Sequence, residues 1–248
     1  MTKIEHLPAW SLLTPSGIAG LLARPNGGPP ETIRLGCNLD ATSAAGMPLI
    51  AALRLMLTRA QASGGLTLTA THALSRADTR ALFDALVWPD YDKEEVLAVN
   101  KVLNEGDVMP VEVTRLVAQA AKLLRRRDRK LLATKRGQEL ASGSGAVEAF
   151  RRLFALIFWQ IDLGSLDRVP VEHWPQDHVG LVLWCLSAAA RDWSSVGDIL
   201  PVCTVLGAAS EESASDYLAF AFESRILRPL TWFGLLETRR VGEPGTFA

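Results

Sequence analysis

From Met47 to Ala62 the apolar residues Leu49, Ile50, Leu53, Leu57 and Ala60 recur three and four apart, the period of one buried helix face. Gly64-Gly65 closes that run, and Leu66-Thr67-Leu68-Thr69 alternates as a short strand does. Ser75 then occupies an N-cap position ahead of a helix over Arg76 to Val87, with Asp78 in its first turn. Trp88-Pro89-Asp90 interrupts the chain. Glu94 to Glu105 predicts the next helix, with Val96, Leu97, Val99 and Leu103 inward and Gly106-Asp107 as its stop. Pro110 opens another, because the first N–H of a helix lacks a partner in any case. That helix runs to about Ala121, with Val113, Leu116, Val117 and Ala120 inward and Glu112, Thr114, Arg115 and Gln119 outward.

The pattern changes at Lys122. Leu123-Leu124 leads into Arg125-Arg126-Arg127, Asp128-Arg129 reads as a turn, and Lys130 to Thr134 returns as a second strand. Thr134 is placed to cap a helix whose first turn holds Lys135, Arg136 and Gly137. Helix, hairpin, helix is the centre of a winged helix-turn-helix, in which the hairpin is the wing. Eight of the fifteen residues from Lys122 to Arg136 are Lys or Arg, against one Asp. Such a hairpin suits phosphates, since each one neutralised releases counterions. The plainer reading is a charged face that keeps a sheet edge solvated and unpaired.

Residues 1–43 form an irregular segment: Pro8, Pro15, Pro25, Pro29 and Pro30 leave room only for a short helix near Ser16 to Ala23. Residues 44–142 form the winged-helix-like region. Ser142-Gly143-Ser144-Gly145 reads as a linker, and residues 146–248 form a helical lobe. In that lobe Val147 to Ile161 is apolar on most sides, as buried helices are. Asp177 to Trp193 repeats the pattern, and Glu211 to Leu230 carries Leu218, Phe222 and Ile226 on one stripe. The ending Leu227 to Glu237 has the outline of a helix leading into a wing that the remaining residues cut short.

Composition narrows the class. Hydrophobic residues at 48% and charged residues at 21% describe an ordinary globular chain, and the net charge of −1 excludes a generally basic coat protein. Cys37, Cys185 and Cys203 are scattered without a CxxC, which excludes a zinc ribbon and leaves buried thiols of a cytoplasmic protein. No apolar stretch is long enough for a membrane span, and MTKIEHLPAW lacks a secretory apolar core. His173 and His178 are five apart around Pro175, the wrong spacing for a metalloprotease helix, and Asp177 is read as a helix cap instead. Asp162 and Asp167 form a carboxylate pair only if the loop between them folds back. Gly-rich phosphate loops and nucleophile elbows are missing, so no catalytic residue, metal or cofactor is nominated.

The runs GLTLTATHALSRADTRAL, LLRRRDRKLLATKRGQEL and RILRPLTWFGLLE resemble a family of uncharacterised bacterial proteins, some plasmid-borne, with repeated winged-helix-like helical units. The resemblance covers residues 44 to 240 and implies no activity. Residues 66–74 and 131–140 align as two copies of one unit, which suggests a tandem repeat. His72 stands where the pattern calls for glycine. The expected fold is mainly α with short β-hairpins, winged-helix-like units followed by a helical lobe. The expected function is non-enzymatic binding of nucleic acid through the basic hairpin, with DNA as the candidate partner. Arg125, Arg126, Arg127, Arg129, Lys130, Lys135 and Arg136 would meet phosphates, and Arg115 and Gln119 would meet bases. The competing expectation is a helical protein–protein interaction module, binding a partner or a second copy, with no nucleic-acid affinity.

Overall fold

The computed structural model describes residues 7–35, 38–167, 169, 173–204 and 212–239. The chain is mainly helical, with one small three-stranded antiparallel sheet among the described residues. In chain order the first helices are α1 (Pro15–Leu22), α2 (Ala41–Gly46), α3 (Pro48–Ala62), α4 (Arg76–Ala85), α5 (Lys93–Val99) and α6 (Met109–Ala120). They continue with α7 (Lys135–Ala141), α8 (Ala146–Trp159), α9 (Gly164–Asp167), α10 (Val179–Ala189), α11 (Val196–Cys203), α12 (Glu212–Phe222) and α13 (Arg228–Trp232). The strands are β1 (Leu66–Thr67), β2 (Leu124–Arg127) and β3 (Lys130–Ala133). Two compact units result. A central one takes Asn38–Leu153 with Leu230–Ala248, and a flanking one takes Met1–Cys37 with Phe154–Pro229.

The central unit is built on α3. Its expected face is inside, with Leu49, Ile50, Leu53 and Leu57 all fully buried and Ala60 nearly so. Ser75 caps α4, its Oγ accepting the Asp78 N–H. Asp78 is itself buried and ties three elements together. It accepts from Arg59 Nε of α3 at 3.0 Å, from the Thr67 N–H of β1 at 2.8 Å and from Ser75 Oγ at 3.0 Å. His72, in the turn before α4, has φ +65°, so the backbone there has the left-handed conformation that favours glycine. Trp88 and Trp232 lie 6.2 Å apart, and Phe150 meets Phe233 edge-on at 5.5 Å. Gly234, at φ +63°, ends α13, with the Leu235 N–H returning to the Leu230 carbonyl.

The sheet runs in the order β1-β3-β2. β1 pairs with β3 through Leu66 opposite Leu131, and β2 pairs with β3 through Leu124 opposite Ala133. Leu66 and Leu131, which begin the two segments aligned above, therefore lie opposite one another in a single sheet.

Two helix faces differ from their expected phase. α5 stops at Val99, where Asn100 is extended, and none of its residues is buried. Val99 is 81% exposed and Leu97 is outward as well; only Leu103, beyond the helix, reaches the core. In α6 the buried set is Pro110, Val111, Thr114, Val117 and Ala118, while Leu116 and Ala120 are exposed. Thr114 enters the core because its hydroxyl donates to the Pro110 carbonyl at 2.6 Å, so it arrives with its polar group satisfied. The expected linker at Ser142–Gly145 contains a 3-10 turn, Gly143–Gly145, inside the central unit.

In the flanking unit α10 packs against α1. Gly180 faces the Leu21 carbonyl so closely that a Cβ would overlap it. Cys185 and Cys203 are buried thiols, as expected, and Cys37 lies outside the described residues. Burial pushes the Cys185 thiol up to about 11 and that of Cys203, which also faces Cys185, to about 12. Asp167 does not pair with Asp162. It receives Arg225 Nε at 2.7 Å and Ser224 Oγ at 2.9 Å, and the Arg225 side chain is fully buried. Burial alone would raise the Asp167 carboxyl, but hydrogen bonds from Arg225, Val169 and Ser224 outweigh it and hold it below the ordinary 3.8. Asp177 makes no side-chain cap and lies 3.6 Å from Arg24. The final residues, where the shortened wing was expected, lie outside the described residues from 240 onward.

Candidate nucleic-acid interface

The hairpin forms where the sequence suggests. Asp128, at φ +55°, and Arg129 make the two-residue turn, and Arg127 stands opposite Lys130. Leu124 and Leu131 point into the core and fix the register, since a slip of one residue would turn both outward. Alternation along β2 then sets Arg125 and Arg127 on the face away from Leu124. β3 is held on both edges, by β2 on one side and by β1 on the other, where the Leu68 N–H also reaches the Arg129 carbonyl at 2.8 Å. The base is pinned by Thr134, which caps α7 through the Gly137 N–H and donates to the Lys122 carbonyl at 3.0 Å. Gly137 is required there, because a Cβ would overlap the Leu123 carbonyl oxygen.

Arg125, Arg126, Arg127, Arg129 and Lys130 are all exposed. None of the five forms an ion pair among the described residues; Lys130 Nζ donates to the Gly64 carbonyl at 3.1 Å. Lys135 is exposed too. Arg136 is neutralised by Glu139 at 3.2 Å and Glu148 at 2.9 Å. Lys122, outside the expected set, is exposed at the hairpin's base with φ +59°, and its membership of the same basic run was the signal for it. The hairpin thus carries exposed positive charge without an ion-pair partner among the described residues, of a kind that can hold phosphates by charge-assisted hydrogen bonds.

Residues 45–146 match the Y4jL N-terminal domain. Over 100 residues the chain is also 34% identical to a Sinorhizobium fredii protein described as "Uncharacterized protein y4jL", a match covering 40% of this chain and 46% of that one. The chain thus spans about half the length of that relative. Both matches support kinship with an uncharacterised bacterial family, and the matched segment contains the whole sheet and the basic hairpin. No solved structure matches the chain.

Arg115 and Gln119 stand apart from the exposed charges. The Arg115 side chain is 12% exposed and its Nε donates to Glu105, whose own side chain is 1% exposed. Arg115 Nη1 donates to Gln119 Oε1 at 2.6 Å. Glu105 also accepts the Leu74 N–H at 2.7 Å, so it clasps the entry to α4 against α6. Sequence reasoning missed Glu105, which it took only as the last residue of a helix; no local pattern marks an acid whose partners lie 10 and 31 positions away. Among the described residues no helix is long and apolar enough to cross a membrane, and no group of three His, Cys, Asp or Glu could hold a metal ion.

Proposed function

We propose that the chain is a non-enzymatic, winged-helix-like protein that binds nucleic acid through its β2–β3 hairpin. The observation that carries this is the run Arg125, Arg126, Arg127, Arg129 and Lys130, exposed and without carboxylate partners among the described residues, on a hairpin held in register by β1. The element order supports it. α3, β1, α4, α6, β2 and β3 follow one another as helix, strand, helix, helix, strand, strand, with α5 inserted, and α6 stands where a winged helix carries its recognition helix. Five phosphate contacts give a salt slope of about −4.5, or roughly 500-fold weaker binding between 50 and 200 mM salt. The test is fluorescence anisotropy of a duplex at two salt concentrations, for the parent chain and for Arg126→Glu/Arg127→Glu/Arg129→Glu. Loss of binding with unchanged circular dichroism is expected; binding by the variant equal to that of the parent refutes the proposal.

One observation favours a second reading, a protein-interaction module. α5 buries nothing and exposes Leu97 and Val99, and Val102, Met109 and Leu116 are exposed nearby in sequence. Mass that rises with concentration, together with no nucleic-acid affinity at low salt, would select it.

A further inference from the structure

We infer that the ligand of the hairpin is the sugar-phosphate backbone of a duplex, held irrespective of base sequence, because the outward face of α6 has almost nothing with which to read bases. This rests on the nucleic-acid reading above. Bases are told apart by side chains that place hydrogen-bond donors and acceptors in a groove, with Arg on guanine and Asn or Gln on adenine as the strongest pairs. In α6 the residues of that kind are engaged wholly or in part, and Gln119 keeps only its amide donor, too little for the bidentate contact that reads adenine. Arg115 is held by the buried Glu105 and by Gln119, and Gln119 spends its carbonyl oxygen on Arg115. The Thr114 hydroxyl is buried and donates within the helix.

What remains outward is Met109, Leu116 and Ala120, with the half-buried Val113 and Glu112 beside them. A carboxylate such as Glu112 can only accept, typically from the cytosine amino group, and is repelled by the phosphates that flank either groove. The densest run of exposed positive charge is on the hairpin and not on α6, and phosphate contacts position a protein without carrying sequence information.

The same surface favours two strands over one. Proteins that hold single strands stack bases on aromatic side chains along a basic track. Between Lys122 and Arg136 there is no Phe, Tyr, Trp or His. A basic ribbon without a stacking platform suits the regular phosphate rows of a duplex.

The experiment is anisotropy titration of the full chain, at low and moderate salt, with three duplexes (GC-rich, AT-rich and mixed) and one mixed-sequence single strand. The three duplexes are expected to bind within about threefold of one another, against the ~1,000-fold or more that separates specific from non-specific sites in sequence readers. The single strand is expected to bind at least about tenfold more weakly, each missing stacked base being worth roughly that much. Leu116→Ala is expected to leave all affinities unchanged. A preference of more than about 30-fold for one duplex, abolished by Gln119→Ala, overturns the inference and leaves the nucleic-acid reading standing. Single-strand binding equal to or tighter than duplex binding does the same. No binding to any probe overturns both.

Discussion

Glu105 offers the sharpest test of how the central unit is held together. Its carboxylate is almost completely buried, and it accepts from the Leu74 backbone and from Arg115 at once. Glu105→Ala orphans the Leu74 N–H, at a cost of about 1–3 kcal/mol, and leaves the mostly buried Arg115 charge without its partner. Breaking a buried pair from one side costs about 3–5 kcal/mol. Because Arg115 keeps some solvent contact and its bond to Gln119, the total expected for the variant is about 3–5 kcal/mol and not the sum. Glu105→Gln keeps an acceptor oxygen and is expected to cost about half as much. Glu105→Met combined with Arg115→Met removes both charges and should recover about 2 kcal/mol or more relative to Glu105→Ala, since paired replacement by apolar residues is often tolerated. Hydrogen exchange of the Leu53 and Leu57 amides, buried on α3, reads the loss in the full chain. Protection should fall by about two to three and a half orders of magnitude in Glu105→Ala. A fall of less than tenfold, or a double variant no better than the single one, would sink the clasp as a source of stability.

Two further predictions concern packing and pH. Gly137→Ala is expected to destabilise the central unit by about 1–3 kcal/mol, because the added methyl meets backbone and not a movable side chain. Thermal melts should show it, whereas an unchanged melting temperature would mean that α7 shifts without cost. For Asp167 the folded carboxyl lies below its ordinary 3.8, so its contribution to stability is present above that value and is lost as pH falls through the lowered folded value. Asp167→Asn should therefore flatten the acid limb of the stability profile between about pH 5 and the lowest pH at which the chain stays folded. Parallel acid limbs in variant and parent would contradict the pairing with Arg225.

The parts legible in the sequence were those set by neighbours. Thr134 and Ser75 cap helices because a hydroxyl three residues ahead of an N–H needs nothing from elsewhere in the chain. The hairpin around Asp128 and the buried face of α3 were readable for the same reason. What escaped was decided at long range or by hidden polarity. Thr114 looks like a surface residue until its hydroxyl is seen satisfying the Pro110 carbonyl, and that one residue shifts the assumed face of α6. The pairing of Leu66 with Leu131 has no local signature, because the two residues lie far apart in the chain. For the site, the exposed arginines were readable as a run of charge. The engagement of Arg115 was not, since its partner Glu105 precedes the helix and offers no periodic cue.

That pairing across the sheet also sets an order of events. Leu66 must wait for Leu131, sixty-five positions further along the chain, before β1 has a partner. At 5–20 residues per second, a ribosome takes roughly 3–13 s to supply it. During that interval α3 and α4 can form, but the basic ribbon has not yet been made and the inner edge of β1 is open. The hairpin itself closes in microseconds once synthesised. Docking it onto β1 is therefore the step that closes the sheet, while the central unit still waits for Trp232 and Phe233, which pack on Trp88 and Phe150 and are made about a hundred positions later.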